Sequence, residues 1–282
     1  MSKRIMPFKE RSKEFDRLST KFVDGGFLLT AGWIRRLSKD FLLPKVTLGE
    51  VLEDWKDAEQ TFKNEFIGSD ENWKYRERCY DALERIIHEL IDARGLQTSS
   101  KTFEKILPAL ERGNEALSNL AEIYLTLVAS KRLSEKRRYY GLCFMYLISI
   151  EGLFDENIKI LYIFRKAAKG VDVDYETIQE RSLWSFKREL EPVLFEGYNN
   201  RIRNAIAHAR FRFDDAKNKM IFKDIATKRQ PEYYDELSLR EFGIGYFDKI
   251  DSFCRLRTFY MILLGVRDLI FAAKPFGKTR LK

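Results

Sequence analysis

The chain has 282 residues, of which 45% are hydrophobic and 14% aromatic, so it can bury a sizeable core, and wholesale disorder is excluded. Its formal net charge of +8 favours a polyanionic partner such as nucleic acid, although the surplus is spread along the chain and a solvated basic surface accounts for it as well. Cys79, Cys143 and Cys254 stand far apart with no CxxC pair, which argues against zinc-thiolate or dithiol chemistry and fits a reducing compartment.

The opening residues, MSKRIMPFKERSKEFD, have no apolar core and are not expected to form a signal peptide. Residues 1–46 are basic and aromatic-rich, with breaks at Gly25-Gly26 and Pro44, and predict two short helices. Thr47-x-x-Glu50 has the form of a capping box and predicts a helix to about Phe66. Gly68-Ser69-Asp70 ends it. The next predicted helix runs from Glu71 to about Arg94, with Leu83, Ile86, Ile87, Leu90 and Ile91 on one apolar stripe. His88 lies on this helix. A zincin would need a second histidine where Asp92 stands, so His88 reads as a surface or boundary residue. Gly95 stops the helix, residues 97–100 read as a loop, and Pro108 interrupts or starts a helix that continues through Leu127.

The run Lys131-Arg132-Leu133-Ser134-Glu135-Lys136-Arg137-Arg138 marks the expected boundary between an N-terminal helical region, 1–132, and a C-terminal unit, 133–282. Beside Tyr139 and Tyr140, the cations of this run, Arg137 and Arg138 among them, read either as an RNA-binding patch or as a solvated helix start. A strongly apolar helix follows from about Tyr139 to Ala168, stopped by Gly170. Its most apolar part, Tyr139 to Phe154, contains Glu151 and is too short to span a membrane, so a buried helix of a cytoplasmic protein is expected. An amphipathic helix is predicted over about Tyr175 to Leu190. Pro192 suits the first turn of another, reaching about Ala209. Phe211-Arg212-Phe213 and Met220-Ile221-Phe222 then read as strands of a hairpin around Asp214 to Asn218. Ser238-x-x-Glu241 is a second capping box, opening a long helix to about Lys274 ahead of a frayed tail.

Chemistry concentrates in Asn199-Asn200-Arg201-Ile202-Arg203-Asn204-Ala205-Ile206-Ala207-His208. At about 100° per residue, Leu194, Tyr198, Ile202, Ala205, Ile206 and Ala209 share a core-facing side. Asn200, Asn204 and His208 then form a polar row flanked by Arg201 and Arg203. One helix thus offers an imidazole, an amide and guanidinium groups together. Histidine moves protons near neutral pH, and arginine is a permanently charged, forked donor for phosphate. No phosphate-cradling glycine loop, Ser-His-Asp set or dinucleotide fingerprint accompanies them.

Arg203, Asn204 and His208, with four residues between the Arg and the His, resemble the motif of the HEPN family: Arg, a polar residue, then His. The phenylalanine-rich hairpin and long last helix that follow are similar to that family too, and the resemblance covers roughly residues 133–273. It implies an all-α, up-and-down helical bundle with a small β-hairpin after the motif helix, here carrying an N-terminal helical extension. It also implies a homodimer that sets two motif helices together over a cleft, and a metal-independent endoribonuclease without cofactors. Arg203, Asn204 and His208 would be its catalytic residues, with Asn200, Arg201, Arg210, Arg137 and Arg138 as RNA contacts. A setting in phage defence or a toxin system, with an antitoxin or defence-system protein as partner, is implied by the family alone. Some family toxins carry a tyrosine two residues after the histidine, the target of a nucleotidyltransferase; Arg210 stands there in this chain. The alternative is a non-catalytic HEPN-like module that binds nucleic acid or protein.

Overall fold

The computed structural model describes residues 66–94, 99–129, 134–225 and 231–256, with residues 60, 63 and 64 before them. The elements expected in residues 1–59, the Gly95 stop and the C-terminal part of the last helix lie outside the described residues. Within them the fold is mostly helical, with one small three-stranded antiparallel sheet.

Helix α1 (Trp73–Arg94) begins where Asp70 turns the chain: its carboxylate accepts from the Asn72 N–H at 3.1 Å and its carbonyl from the Trp73 N–H at 3.1 Å. The buried Arg76 straps this start, donating to the Ile67 carbonyl and pairing with Asp70 and Asp248. Helix α2 (Ser99–Ala129) absorbs Pro108 in its interior, so neither a loop at 99–100 nor a break at 108 occurs. A long helix follows, as its apolar composition predicts. It divides into α3 (Glu135–Ile148), a π-helical segment (Ser149–Phe154) and α4 (Asp155–Ala168). It stops at Gly170, whose φ of 79° suits a residue without a Cβ.

The π segment sits where α2 crosses closely. A Cβ at Gly152 would lie 2.2 Å from the Ala116 Cβ, so only glycine allows this approach. Helices α1 and α2 both pack on α4, and one apolar cluster takes Tyr80, Leu83, Ile86 and Leu120 together with Tyr146, Phe154, Ile158 and Leu161. The basic stretch expected to separate an N-terminal from a C-terminal unit therefore has the same core on both sides of it. Helices as apolar as α3 and α4 need cover on several faces, and α1 and α2 supply it.

The helix expected over Tyr175 to Leu190 does not form. Residues 171–199 make a strap of short turns: 3₁₀ turns at Tyr175–Thr177 and Pro192–Phe195, with the four-residue α5 (Leu183–Phe186) between them. Asp174, Ser182 and Glu191 each take extended backbone and restart the chain. Tyr175, Ile178, Leu183, Phe186, Leu190, Leu194 and Phe195 are all buried, so the apolar spacing belongs to a segment pressed onto the core, not to one helical face. Helix α6 (Asn200–Ala207) is consequently much shorter than predicted, and Leu194 and Tyr198 lie ahead of it.

The hairpin forms as β1 (Phe211–Asp214) and β2 (Lys219–Asp224), with Phe211 opposite Phe222 and Asp214 opposite Lys219. A third strand, β3 (Tyr233–Leu237), extends it on the β2 side and was not foreseen. Phe211 and Phe213 face α3, meeting Tyr140, Phe144 and Tyr139. The second capping box is present as predicted: Ser238 accepts from the Glu241 N–H, and the Glu241 carboxylate accepts from the Ser238 N–H. It opens α7 (Leu239–Phe242), which passes through a π turn (Gly243–Phe247) and stays helical to residue 256. Cys79, Cys143 and Cys254 are all buried, and none is in a disulfide. Among the described residues, no helix is long and apolar enough to cross a membrane.

Candidate active site

Helix α6 is placed by its first residues. Asn199 is extended and caps the helix, its side-chain oxygen accepting from the N–H groups of Arg201 at 2.9 Å and Ile202 at 3.2 Å. Its own N–H donates to the Tyr146 hydroxyl at 3.2 Å, and that hydroxyl donates to the Gly197 carbonyl at 3.0 Å. The helix start is thereby tied to the C-terminal end of α3. Ile202, Ala205 and Ile206 are buried, as the helical wheel predicts, while Asn200 and His208 are exposed and Arg203 and Asn204 half-buried.

The end of α6 departs from that wheel. His208 is the C-cap (φ −98°, ψ 15°), and Ala209 is exposed, with φ 53°. The Ala209 N–H donates to the Ile206 carbonyl at 3.0 Å and the Arg210 N–H to the Ala205 carbonyl at 2.7 Å. This is a Schellman ending with alanine in the left-handed position that glycine usually fills. A β-carbon there costs about 1–2 kcal/mol. The strain falls on the residue directly after the candidate histidine.

Three side chains hold the rest of the site. Arg203 donates to the Asn204 side-chain oxygen at 2.9 Å and pairs with Glu151 at 2.5 Å. Glu151 comes from the π segment. Asp224, at the end of β2, is the second anchor: its carboxylate receives the Asn204 amide at 3.4 Å and lies 3.1 Å from Arg201 Nε and 3.9 Å from Arg210 Nη1. Tyr198 is the third. It stacks on Phe154 and donates to the Asn200 side-chain oxygen at 3.0 Å. Burial raises its hydroxyl pKa. The Arg203 charge pulls the other way, and Asp155 and Glu151 add to the rise.

The predicted site residues thus divide. Arg203, Asn204 and His208 share the exposed side of one helix end. His208 makes no side-chain hydrogen bond or ion pair among the described residues, which leaves both ring nitrogens open to a ligand. Arg201 is turned inward: it meets Asp224, donates to the Pro231 carbonyl and lies 5.6 Å from the Tyr233 ring centre. Arg210 stays half free beside Asp224. Arg137 and Arg138 are not brought to the motif. They start α3, near the β1–β2 turn that Lys136 reaches through Asp215 at 3.5 Å. Glu151 is fourteen residues further along, roughly 20 Å at helical rise. His88 is exposed on α1, 3.9 Å from Glu84. Among the described residues no cluster of His, Cys, Asp and Glu is arranged to hold a metal ion. No family model matches this chain, and neither the curated proteins nor the solved structures yield a match.

Glu151, Asp224 and Asn199 were not foreseen as site residues. In the sequence Glu151 is only a charge within an apolar stretch, and Asp224 lies just past the second predicted strand. Asn199 carried the one usable signal, an Asn two residues ahead of a positively charged, apolar-patterned run, which is cap chemistry.

Proposed function

We propose that this chain is a HEPN-like endoribonuclease that cleaves RNA through the substrate's own 2′-OH and needs no metal ion. The observation that carries the reading is the pairing of a held guanidinium with an unengaged imidazole at one exposed helix end. Arg203 is oriented by Glu151 and Asn204 while His208 is free. Glu151 and Asn204 leave some of the guanidinium's five N–H donors open for a phosphate oxygen.

The chemistry asks little else of the protein. His208 takes the proton of the 2′-OH, the 2′-oxygen bonds to phosphorus, and the bond from phosphorus to the 5′-oxygen breaks. The departing 5′-oxygen takes a proton from a second imidazolium. The products are a 2′,3′-cyclic phosphate and a 5′-hydroxyl. Arg203 neutralises the charge that builds on the phosphoryl oxygens. His208 alone from each chain serves both proton steps if two copies meet across a two-fold axis, and a homodimer belongs to this proposal.

The test is incubation of the purified protein with RNA in EDTA. Cleavage to cyclic-phosphate ends is expected, and a 2′-O-methyl strand should resist. His208→Ala should lower the rate by about 10²–10⁴-fold, the usual worth of a general acid–base group. Arg203→Ala should be comparably inactive, and Asn204→Ala less affected. Equal cleavage by His208→Ala and wild type would refute the proposal.

A further inference from the structure

We propose that the outer face of the three-stranded sheet is a platform for the single-stranded RNA that reaches the α6 site, with a base stacked on Tyr234 and phosphates held by Arg212, Lys219 and Lys223; this rests on the ribonuclease reading for the identity of the strand. Strand alternation defines the face. Phe211, Phe213, Met220 and Phe222 turn inward, to α3 or the main apolar cluster. Arg212, Lys219, Lys223, Tyr234 and Glu236 therefore turn outward around Ile221, which is itself buried among them, paired across the ladder as Arg212 to Ile221 to Glu236 and Lys223 to Tyr234.

Charge on this face is one-sided. Glu236 is already neutralised by Lys217, which approaches its two carboxylate oxygens at 2.8 and 3.0 Å. Asp214 turns its carboxylate to the N–H groups of Ala216 and Lys217 at 3.0 and 3.1 Å. Arg212, Lys219 and Lys223 make no ion pair among the described residues, and Arg212 and Lys223 are exposed. Uncompensated cations in a row on a sheet are what a polyanion neutralises.

The aromatic in their midst argues for a nucleic-acid strand over an acidic protein. Tyr234 is 53% exposed, which is unusual for so large a ring on a sheet. Its hydroxyl is tied to Glu236, and the Lys223 ammonium lies 5.6 Å from its ring centre. The ring is thus fixed in orientation, open to solvent and flanked by a cation, the combination on which a base stacks while its phosphate is held. The face is also continuous with the catalytic helix. β1 starts three residues after His208, and the Lys223 N–H donates to the Arg210 carbonyl at 2.9 Å.

The test measures binding, separately from cleavage, with the full chain and a fluorescently labelled 2′-O-methyl single strand as probe. Tyr234→Ala should weaken binding at least about five-fold, and Tyr234→Phe should bind like wild type because the π face remains. Arg212→Ala with Lys223→Ala should flatten the slope of log affinity against log salt by about 1.4, two phosphate contacts at single-strand charge density. Wild-type affinity and salt slope in all these variants, each folded by circular dichroism, would overturn the platform and leave the ribonuclease reading standing. Loss of binding in the alanine variants alone, with no cleavage by wild type, would establish the platform and sink the ribonuclease reading.

Discussion

Two clusters of charge lie about one turn apart on the α3–α4 helix, and they are built to different ends. The inner one is Asp155, Glu156, Lys159 and Tyr175. Lys159 is 2% exposed, its ammonium 2.8 Å from Asp155 and 3.3 Å from Glu156, while the Tyr175 hydroxyl donates to Glu156 at 2.6 Å. Every charge there is closed by a partner from the same chain. The outer one is Glu151 with Arg203, Asn204, Asp224 and His208. Apart from the buried Asp224 that anchors it, it is exposed or half-buried, keeps open donors on Arg203 and leaves the imidazole of His208 free. Burial with full pairing is how a fold tolerates charge in its core. Partial exposure with open donors is what a ligand requires. The inner cluster is thus suited to stability and the outer one to chemistry, although the two share one helix.

The largest effect that separates them is on folding. Lys159→Ala removes the cation that Asp155 and Glu156 share, and breaking a buried pair in this way costs about 3–5 kcal/mol. Urea unfolding should show that loss. Burial already lifts the Asp155 carboxyl above its usual range against the pull of Lys159, a sign of how much desolvation the ammonium offsets. An unfolding free energy within about 1 kcal/mol of wild type, the scale of an exposed pair, would make the inner cluster no more structural than the outer.

A smaller effect of opposite sign belongs to the outer region. Ala209 holds a left-handed backbone after His208, so Ala209→Gly should stabilise the protein by about 1 kcal/mol. Thermal melting checks the sign. A lower melting temperature would mean that the Schellman ending is relaxed and that no strain is stored beside the site.

What was legible in the sequence follows the same division. Strongly periodic or uniformly apolar runs gave α1 and the α3–α4 helix, alternation around a polar turn gave β1 and β2, and Ser238-x-x-Glu241 gave the start of α7. Arg203, Asn204 and His208 could be grouped because all three lie on one short helix. Glu151 and Asp224 could not, since each reaches α6 from a distant element and no spacing rule links them. The π segment that presents Glu151 depends on Gly152 meeting Ala116, a contact between helices that periodicity along one helix does not encode. β3 escaped because Tyr233-Tyr234-Asp235-Glu236-Leu237 does not alternate; it is a strand through its pairing with β2. The strap at 171–199 has helical spacing by residue type, and only its extended residues Asp174, Ser182 and Glu191 set it apart.

The smallest expected effect is the sharpest test of the outer cluster. Glu151 and Arg203 are 47% and 34% exposed, so water screens their attraction, and the pair is worth under about 1 kcal/mol to folding. Glu151→Gln keeps a hydrogen-bond acceptor for Arg203 but removes a negative charge from where an RNA phosphate would sit. Urea unfolding should therefore stay within about 1 kcal/mol of wild type, while affinity for the 2′-O-methyl strand should rise by no more than about five-fold, the same screened energy expressed as binding. The sign of the binding change decides the role. Weaker binding in Glu151→Gln would mean that the carboxylate's hold on Arg203 matters more than its repulsion of phosphate. A stability loss as large as that of Lys159→Ala would place Glu151 with the buried cluster and erase the distinction between the two.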